Sequence, residues 1–160
     1  MTTINKLKEF STLILHLGEP ILDDRLLKFE QKINFKLPND FKEFLTQHNG
    51  FSLTSTEVNG IGNEFRDSSL DKLYDFEHFE VGNPMPKEFV PFSADGFGNH
   101  YCLDLSRINI DNCAIVFWQH DFEYETLDEV ETCYNSFIEW VEEVMILWTL
   151  EEYKYDGSEK

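Results

Sequence analysis

Three side chains that could do chemistry alternate along one short segment of the sequence. His100, Cys102 and Asp104 are separated by single hydrophobic residues, so on a β-strand they share one face. A histidine, a thiol and a carboxylate together suggest a nucleophile with its base, or a metal site. Side chains two residues apart on a strand, however, stand about 7 Å from each other, too far for direct hydrogen bonds. A half-buried sheet face with a core thiol is the favoured interpretation.

Other spacings in the sequence do not indicate a metal or cofactor site. A zinc site needs three or four ligands, and His120 and Asp121 would have to approach from another strand. The glycine-containing turn at 95–98 lacks the ligand pattern of an EF-hand and the lysine of a phosphate-binding loop. We therefore predict no catalytic residue, no metal and no cofactor. A hydrolase that uses His100, Cys102 or His120 is the weakest alternative.

The charge of the chain is strongly one-signed. Its 31 acidic and 13 basic residues give a formal net charge of −18 at pH 7. No lysine or arginine lies between Arg107 and Lys154, and residues 121–160 hold 13 acids against 2 basic residues. Nucleic acids and anionic membranes are therefore excluded as electrostatic partners. For an acidic protein in general, a solvated face that favours solubility is the favoured interpretation, and a surface that meets a basic partner is the alternative.

Helical patterns fill the first fifty residues. Apolar residues at three- and four-residue steps predict a first amphipathic helix over 4–17. A second helix should follow, capped by Asp23 or Asp24 and ending before Leu37. A third should begin at Pro38 and end at Asn49-Gly50.

Short β-like runs replace this pattern from residue 51 onward. The predicted strands are 53–58, 88–92, 100–105, 114–118 and 122–127. The segment 93–99 between two of them should form a hairpin loop whose glycines adopt positive φ. A short helix is predicted from Ser69, and a last helix over 136–150 has Ser136 and Glu139 as a capping box. Helices followed by strands and a final helix indicate an α+β domain, with a charged tail that should fray.

The last helix carries apolar residues on two flanks. Trp140, Val144 and Leu147 cannot face the same core as Phe137 and Val141. Either the helix is buried on two sides, or an apolar strip is left for a partner or for the second subunit of a homodimer.

Chain length and cysteine content narrow the class of protein. We expect one domain over 1–160 with its core at about 22–150. The three cysteines form neither a disulfide framework nor a CxxC pair, so reduced, mostly buried thiols are expected. The N-terminus lacks the continuous apolar stretch of a signal peptide, and the longest apolar run is too short to span a bilayer. These absences predict a cytoplasmic protein.

Several motifs occur in a characteristic order between about residue 22 and residue 141. They are LPxxFxxFL at 37–45 with Asn49-Gly50, FVPFxxDGxG at 89–98, YCLD at 101–104, IVxWxH at 115–120 and Ser136-Phe137. In this order they resemble the Smi/Knr-type domain of the SUKH superfamily. The resemblance implies an α+β fold in which a central twisted antiparallel sheet is packed by N-terminal helices and a C-terminal helix. It carries over no catalytic residues.

The resemblance also implies a function. Bacterial members of this superfamily serve mainly as immunity proteins that bind and neutralise toxins, often nucleases, whereas fungal members act as intracellular regulators. We therefore expect a non-enzymatic immunity protein for a basic cognate toxin, with a regulatory or scaffolding interaction module as the alternative. The acids expected to enter the basic cleft of the toxin are Asp121, Glu123, Glu125, Asp128, Glu129, Glu131 and Glu139.

Overall fold

The computed structural model describes residues 1–21, 24–62, 65–66 and 69–160. These residues form two antiparallel sheets together with helices, which confirms the α+β class. An antiparallel sheet and a C-terminal helix are present as expected, and this sheet has four strands. The second sheet, of three short strands, is not indicated by the sequence pattern.

The first helix is much shorter than predicted. Helix α1 covers Thr3–Leu7 and is followed by turns and by strand β1, Leu15–Leu17. The prediction of a helix over 4–17 is therefore wrong after Leu7. Strand β1 pairs with β2, Phe51–Leu53, and Leu15 lies in the core, so long-range strand pairing prevails over a local helical pattern.

The next two helices lie where they are predicted. Helix α2 covers Arg25–Ile33 and helix α3 covers Asn39–Gln47, with Pro38 at its N-cap position. Asp24 occupies the N-cap position of α2 but its side chain makes no capping hydrogen bond. Its predicted capping role is therefore wrong, and Asp23 lies outside the described residues.

The three-stranded sheet has the order β1-β2-β3, with β3 at Thr56–Val58. The predicted single strand over 53–58 is wrong, because β2 and β3 form a hairpin. Thr54 in the turn has a φ of 54°. This left-handed conformation reverses the chain within two residues.

The four-stranded sheet has the order β4-β5-β6-β7 and is antiparallel throughout. Its strands are β4 (Phe89–Ala94), β5 (His100–Ile108), β6 (Cys113–Trp118) and β7 (Glu131–Tyr134). The predicted strand over 122–127 is wrong. A capping box between Thr126 and Glu129 forms a 3₁₀ turn at Leu127–Glu129 instead, and the strand follows this turn.

Two helices flank this sheet in the sequence. The short helix predicted from Ser69 is present as helix α4, Leu70–Asp75. The Ser69 side chain caps it, and it continues into a π-helical turn at Phe76–Glu80. The C-terminal helix runs without a break over 137–152 as α5 (Phe137–Trp140), a π-helical segment (Val141–Leu147) and α6 (Trp148–Glu152). Ser136 caps its start, accepting a hydrogen bond from the Glu139 N–H.

The main core lies between the helices and the inner face of the four-stranded sheet. The ring of Phe137 stands 4.8 Å from that of Phe41 and 5.4 Å from that of Phe92. Trp140 is fully buried here, whereas Leu147 is 51% exposed. The second flank is thus buried at Trp140 and Val144, and exposed large apolar side chains occur only near its end, at Leu147 and Trp148.

The C-terminal tail packs onto the domain. The Tyr155 ring lies 4.7 Å from the Phe10 ring, and its carbonyl accepts a hydrogen bond from the Ser11 N–H at 2.7 Å. The expectation that the charged tail frays is wrong, because an aromatic contact and backbone hydrogen bonds hold it to the N-terminal turns.

Candidate functional site

The four-stranded sheet is covered on both faces. Its outer face carries a second apolar cluster, separate from the main core, around Cys102, Val116 and Trp118. Met85 and Val130 complete this cluster from the connections that precede β4 and β7. These two connections therefore form the outer layer of the molecule on this side.

His100, Cys102 and Asp104 share this outer face, as their alternation predicts, and all three are buried. His100 Nε2 lies 2.9 Å from Glu77 Oε1, and Asp104 Oδ2 accepts a hydrogen bond from Arg107 Nε at 2.7 Å. The Cys102 thiol instead contacts sulfur and a backbone carbonyl. Burial raises the pKa of this thiol well above its ordinary value, so the nucleophilic thiolate is strongly disfavoured.

His120 stabilises the β4–β5 hairpin through hydrogen bonds to Asn99. Its Nδ1 lies 2.9 Å from Asn99 Oδ1, and its backbone N–H donates to the same oxygen at 3.1 Å. Within the described part of the chain, no three His, Cys, Asp or Glu side chains are grouped so as to hold a metal ion. The β4–β5 hairpin has Gly96 at φ 85° and Gly98 at φ 91°, which confirms its predicted positive-φ glycines.

All seven acids predicted to contact the toxin are exposed. Six of them lie in the connection between β6 and β7 or at its end; we call this set the acidic strip: Asp121, Glu123, Glu125, Asp128, Glu129 and Glu131. Glu139 follows the far end of β7 and is separated from the strip by the length of that strand. The structure therefore gathers six of the acids on one connection and leaves the seventh apart.

Two of these acids have structural partners. Glu129 Oε2 accepts a hydrogen bond from the Thr126 N–H at 3.3 Å, and Glu139 Oε2 accepts one from the Asn135 N–H at 2.8 Å. The other five carboxylates make no hydrogen bond or ion pair with any residue that the structure describes. Their charges are thus left to solvent or to a partner.

Three carboxylates, buried or partly buried, have structural roles. Their burial is not predicted by the sequence analysis. Glu77 binds His100, and Glu30 Oε2 accepts a hydrogen bond from the Leu37 N–H at 2.7 Å. Asp40 accepts a hydrogen bond from the Phe41 N–H, and desolvation raises its pKa to about 6. Only Glu30 has a usable signal, since it lies at helical spacing among apolar residues of α2.

A surface cavity of about 290 Å³ lies beside Phe29 and Ile61, with basic residues of α2 at its rim. Two of these, Lys28 and Lys32, form ion pairs with Asp24 and Asp75. Their positive charges are therefore already paired with carboxylates of the same chain.

Known proteins resemble this chain over most of its length. The SPbeta prophage-derived uncharacterized protein YokK of Bacillus subtilis (strain 168) is 25% identical over 167 residues, which cover 85% of this chain and 81% of the relative. The crystal structure of a protein from Pseudomonas syringae pv. tomato is 20% identical, with a TM-score of 0.63 over 89% of this chain and 96% of that chain. At this identity the second likeness shows the fold alone.

Two further observations complete the comparison. No helix among the described residues is both long and apolar enough to cross a bilayer. A family model matches residues 20–143, which include α2, α3, both sheets except β1, and the start of the C-terminal helix. The chain therefore belongs to the SMI1/KNR4 family (SUKH-1).

Proposed function

We propose that this chain is an immunity protein that neutralises a cognate toxin by binding it stoichiometrically. The first support is the family, which includes immunity proteins. The second is the prophage origin of a relative, since prophages are a setting in which toxins and their antidotes are found together.

The acidic strip is the observation that carries the proposal. Five exposed carboxylates within eleven residues form no ion pair with any described residue, so they repel one another in the free protein. A basic cleft would remove this repulsion and gain attraction over the whole strip. Such clefts bind phosphates in nucleases, and a nuclease-like toxin is therefore the kind of partner that we propose.

A binding role without chemistry also fits the burial of the reactive side chains. The Cys102 thiol is fully buried with a raised pKa, and His100 is occupied by Glu77. Neither residue meets solvent, where a substrate would approach. We accordingly propose a non-enzymatic protein that acts in the cytoplasm, where the toxin must be neutralised.

Co-expression tests the proposal directly. A toxin gene should lie beside the gene for this chain, and expressing that toxin in a bacterial host should stop growth unless this chain is present. The purified pair should form a 1:1 complex by light scattering. If no neighbouring product is toxic, or if the chain fails to protect, the immunity role is wrong and a regulatory interaction module becomes the better explanation.

A further inference from the structure

Three segments of the chain converge on His120, at one end of the four-stranded sheet. The β4–β5 hairpin contacts it through Asn99, and a Cβ added to Gly98 would lie 2.8 Å from the His120 ring. From the other side, Asn83 Nδ2 donates hydrogen bonds to the carbonyls of His120 and Phe122, at 3.2 and 2.9 Å. The end of the sheet is thus fixed by side-chain hydrogen bonds between segments that are distant in sequence.

Each of these segments exposes a phenylalanine. Phe97 at the hairpin tip is 80% exposed, Phe79 at the end of the π-helical turn is 75% exposed, and Phe122 is 47% exposed. The backbone of the hairpin tip is fixed at Phe97, because Asp95 Oδ1 accepts a hydrogen bond from the Phe97 N–H at 2.7 Å. Aromatic side chains, phenylalanine included, are enriched in protein interfaces relative to the rest of the surface.

The surroundings of these rings are acidic. The segments 76–83, 93–100 and 119–131 together contain nine acidic residues and no lysine or arginine. Asp121 and Glu123 flank Phe122 directly, and both are exposed without a partner among the described residues. This surface therefore favours a positively charged partner.

We infer that Phe97 and Phe122, together with Asp121 and Glu123, form a platform that binds arginine side chains of the toxin. A guanidinium group can stack on an aromatic face while it pairs with a neighbouring carboxylate through two parallel hydrogen bonds. A lysine ammonium cannot do both in the same way. The inference rests on the proposed function and names the chemistry that the partner presents.

A deca-arginine peptide provides a probe that does not require the toxin. In a titration of ¹⁵N-labelled protein followed by NMR, the amides of 95–99 and 120–124 should shift most, and deca-arginine should bind several-fold more tightly than deca-lysine at equal ionic strength. The variant Phe97→Ala/Phe122→Ala should weaken deca-arginine binding by about fivefold and bring the affinities of the two peptides close together.

Two variants keep this result interpretable. Phe122 packs against Tyr124 at 4.7 Å, so Phe97→Ala alone, at the 80% exposed tip, separates the loss of the ring from loosening of the connection. Leu13→Ala/Ile110→Ala removes two other exposed apolar side chains, 78% and 80% exposed, and should leave both affinities within twofold of the wild type.

Other results would overturn the platform. Equal loss of deca-arginine and deca-lysine binding in the phenylalanine variants, no loss in Phe97→Ala, or largest shifts outside the three segments would each contradict it. The proposed function is judged separately by growth in toxin co-expression. Protection that persists in the phenylalanine variants would leave the immunity role intact and remove only the arginine platform.

Discussion

The imidazole of His100 and the carboxylate of Glu77 meet in a buried contact, with Nε2 and Oε1 2.9 Å apart and both side chains 6% exposed. This contact joins the π-helical turn after α4 to the first residue of β5. The other imidazole nitrogen, Nδ1, is buried and has no hydrogen-bond partner among the described residues. Glu77 is therefore the one side chain in the described structure that satisfies the His100 ring.

Removal of this partner should destabilise the fold. Glu77→Ala leaves a buried imidazole unsatisfied, so we expect the free energy of unfolding to fall by about 2–3 kcal/mol. Glu77→Gln keeps an acceptor and should lose less. Urea unfolding followed by tryptophan fluorescence measures both. The matched control is the exposed neighbour Glu80, whose alanine variant should stay within about 0.5 kcal/mol of the wild type.

Asp40 should make stability depend on pH. Desolvation raises its pKa from 3.8 to about 6, so between these values the folded protein holds a proton that the unfolded chain has released. The unfolding free energy due to this group is therefore greatest at low pH and falls as pH rises to about 6. Because the carboxyl is only partly buried, we expect a fall of about 1–2 kcal/mol rather than the full value of the shift.

Asp40→Asn isolates this contribution. The variant does not titrate at position 40, so the difference in unfolding free energy between wild type and variant should shrink from pH 5 to pH 7.5. This range stays above the isoelectric point of about 4.4, where the chain would associate. A difference that is flat with pH would mean that the Asp40 carboxyl is well solvated.

Some helices and strands could be predicted from their own residues, whereas others depend on long-range contacts and could not. Helix α3 and the β4–β5 hairpin follow from residues within the element itself, a proline at the start of the helix and glycines in the turn. Strands β1 and β7 are stabilised by pairing with segments distant in sequence. The sequence of a short strand does not indicate which segment it pairs with. The contact between Glu77 and His100, 23 residues apart, is hidden for the same reason.

The candidate site divides in the same way. Exposure of the acidic strip follows from composition, because six carboxylates in one short connection cannot all be buried. The convergence of Phe97, Phe122 and Asn83 at His120 depends on the packing of three connections and has no signature in the sequence.

Two glycines of the β4–β5 hairpin, Gly96 and Gly98, test its conformation, and Gly82 outside the hairpin is the control. Gly98 has a φ of 91° and no room for a Cβ beside the His120 ring, whereas Gly96 has a φ of 85° but open space around it. Gly82 has open space and a φ that is not positive. Alanine should therefore cost about 2–3 kcal/mol at Gly98, about 1–2 at Gly96 and little at Gly82. Thermal unfolding of the three variants gives the order, and a Gly98 variant as stable as the Gly82 variant would contradict the close contact with His120.

The two apolar clusters should both be needed for stability. Phe44 in the main core and Trp118 in the outer cluster are each 3% exposed. Truncation of either to alanine should lower the free energy of unfolding by about 3–5 kcal/mol, a large share of a typical total. Leu13→Ala, at a 78% exposed position, is the control. A near-neutral Trp118→Ala would show that the connections over the outer face contribute little to folding.

The acidic strip should control the rate at which the toxin is captured. Association driven by opposite charges is fast at low salt and slows as screening shortens to about 8 Å near physiological ionic strength. We expect the association rate with the toxin, measured by stopped-flow fluorescence, to fall by roughly tenfold between low salt and physiological ionic strength. The dissociation rate should change much less.

Charge reversal at matched positions separates the strip from the net charge of the chain. Asp121, Glu125 and Asp128 form no side-chain hydrogen bond or ion pair with any residue that the structure describes, so changing all three to lysine should abolish protection against the toxin while the fold stays as stable. Glu129 is left unchanged because it caps the 3₁₀ turn. The control reverses the exposed residues Glu9, Glu19 and Glu43, which changes the net charge by the same amount.

Equal loss of protection in the two triple variants would mean that the total charge, and not its position, attracts the toxin. No loss in either would assign the acids to solvation alone, because a partner in contact with the strip cannot tolerate three reversed charges within eight residues without losing affinity. Loss confined to the first variant, together with a weaker salt dependence of its association rate, is the outcome that the proposed interface requires.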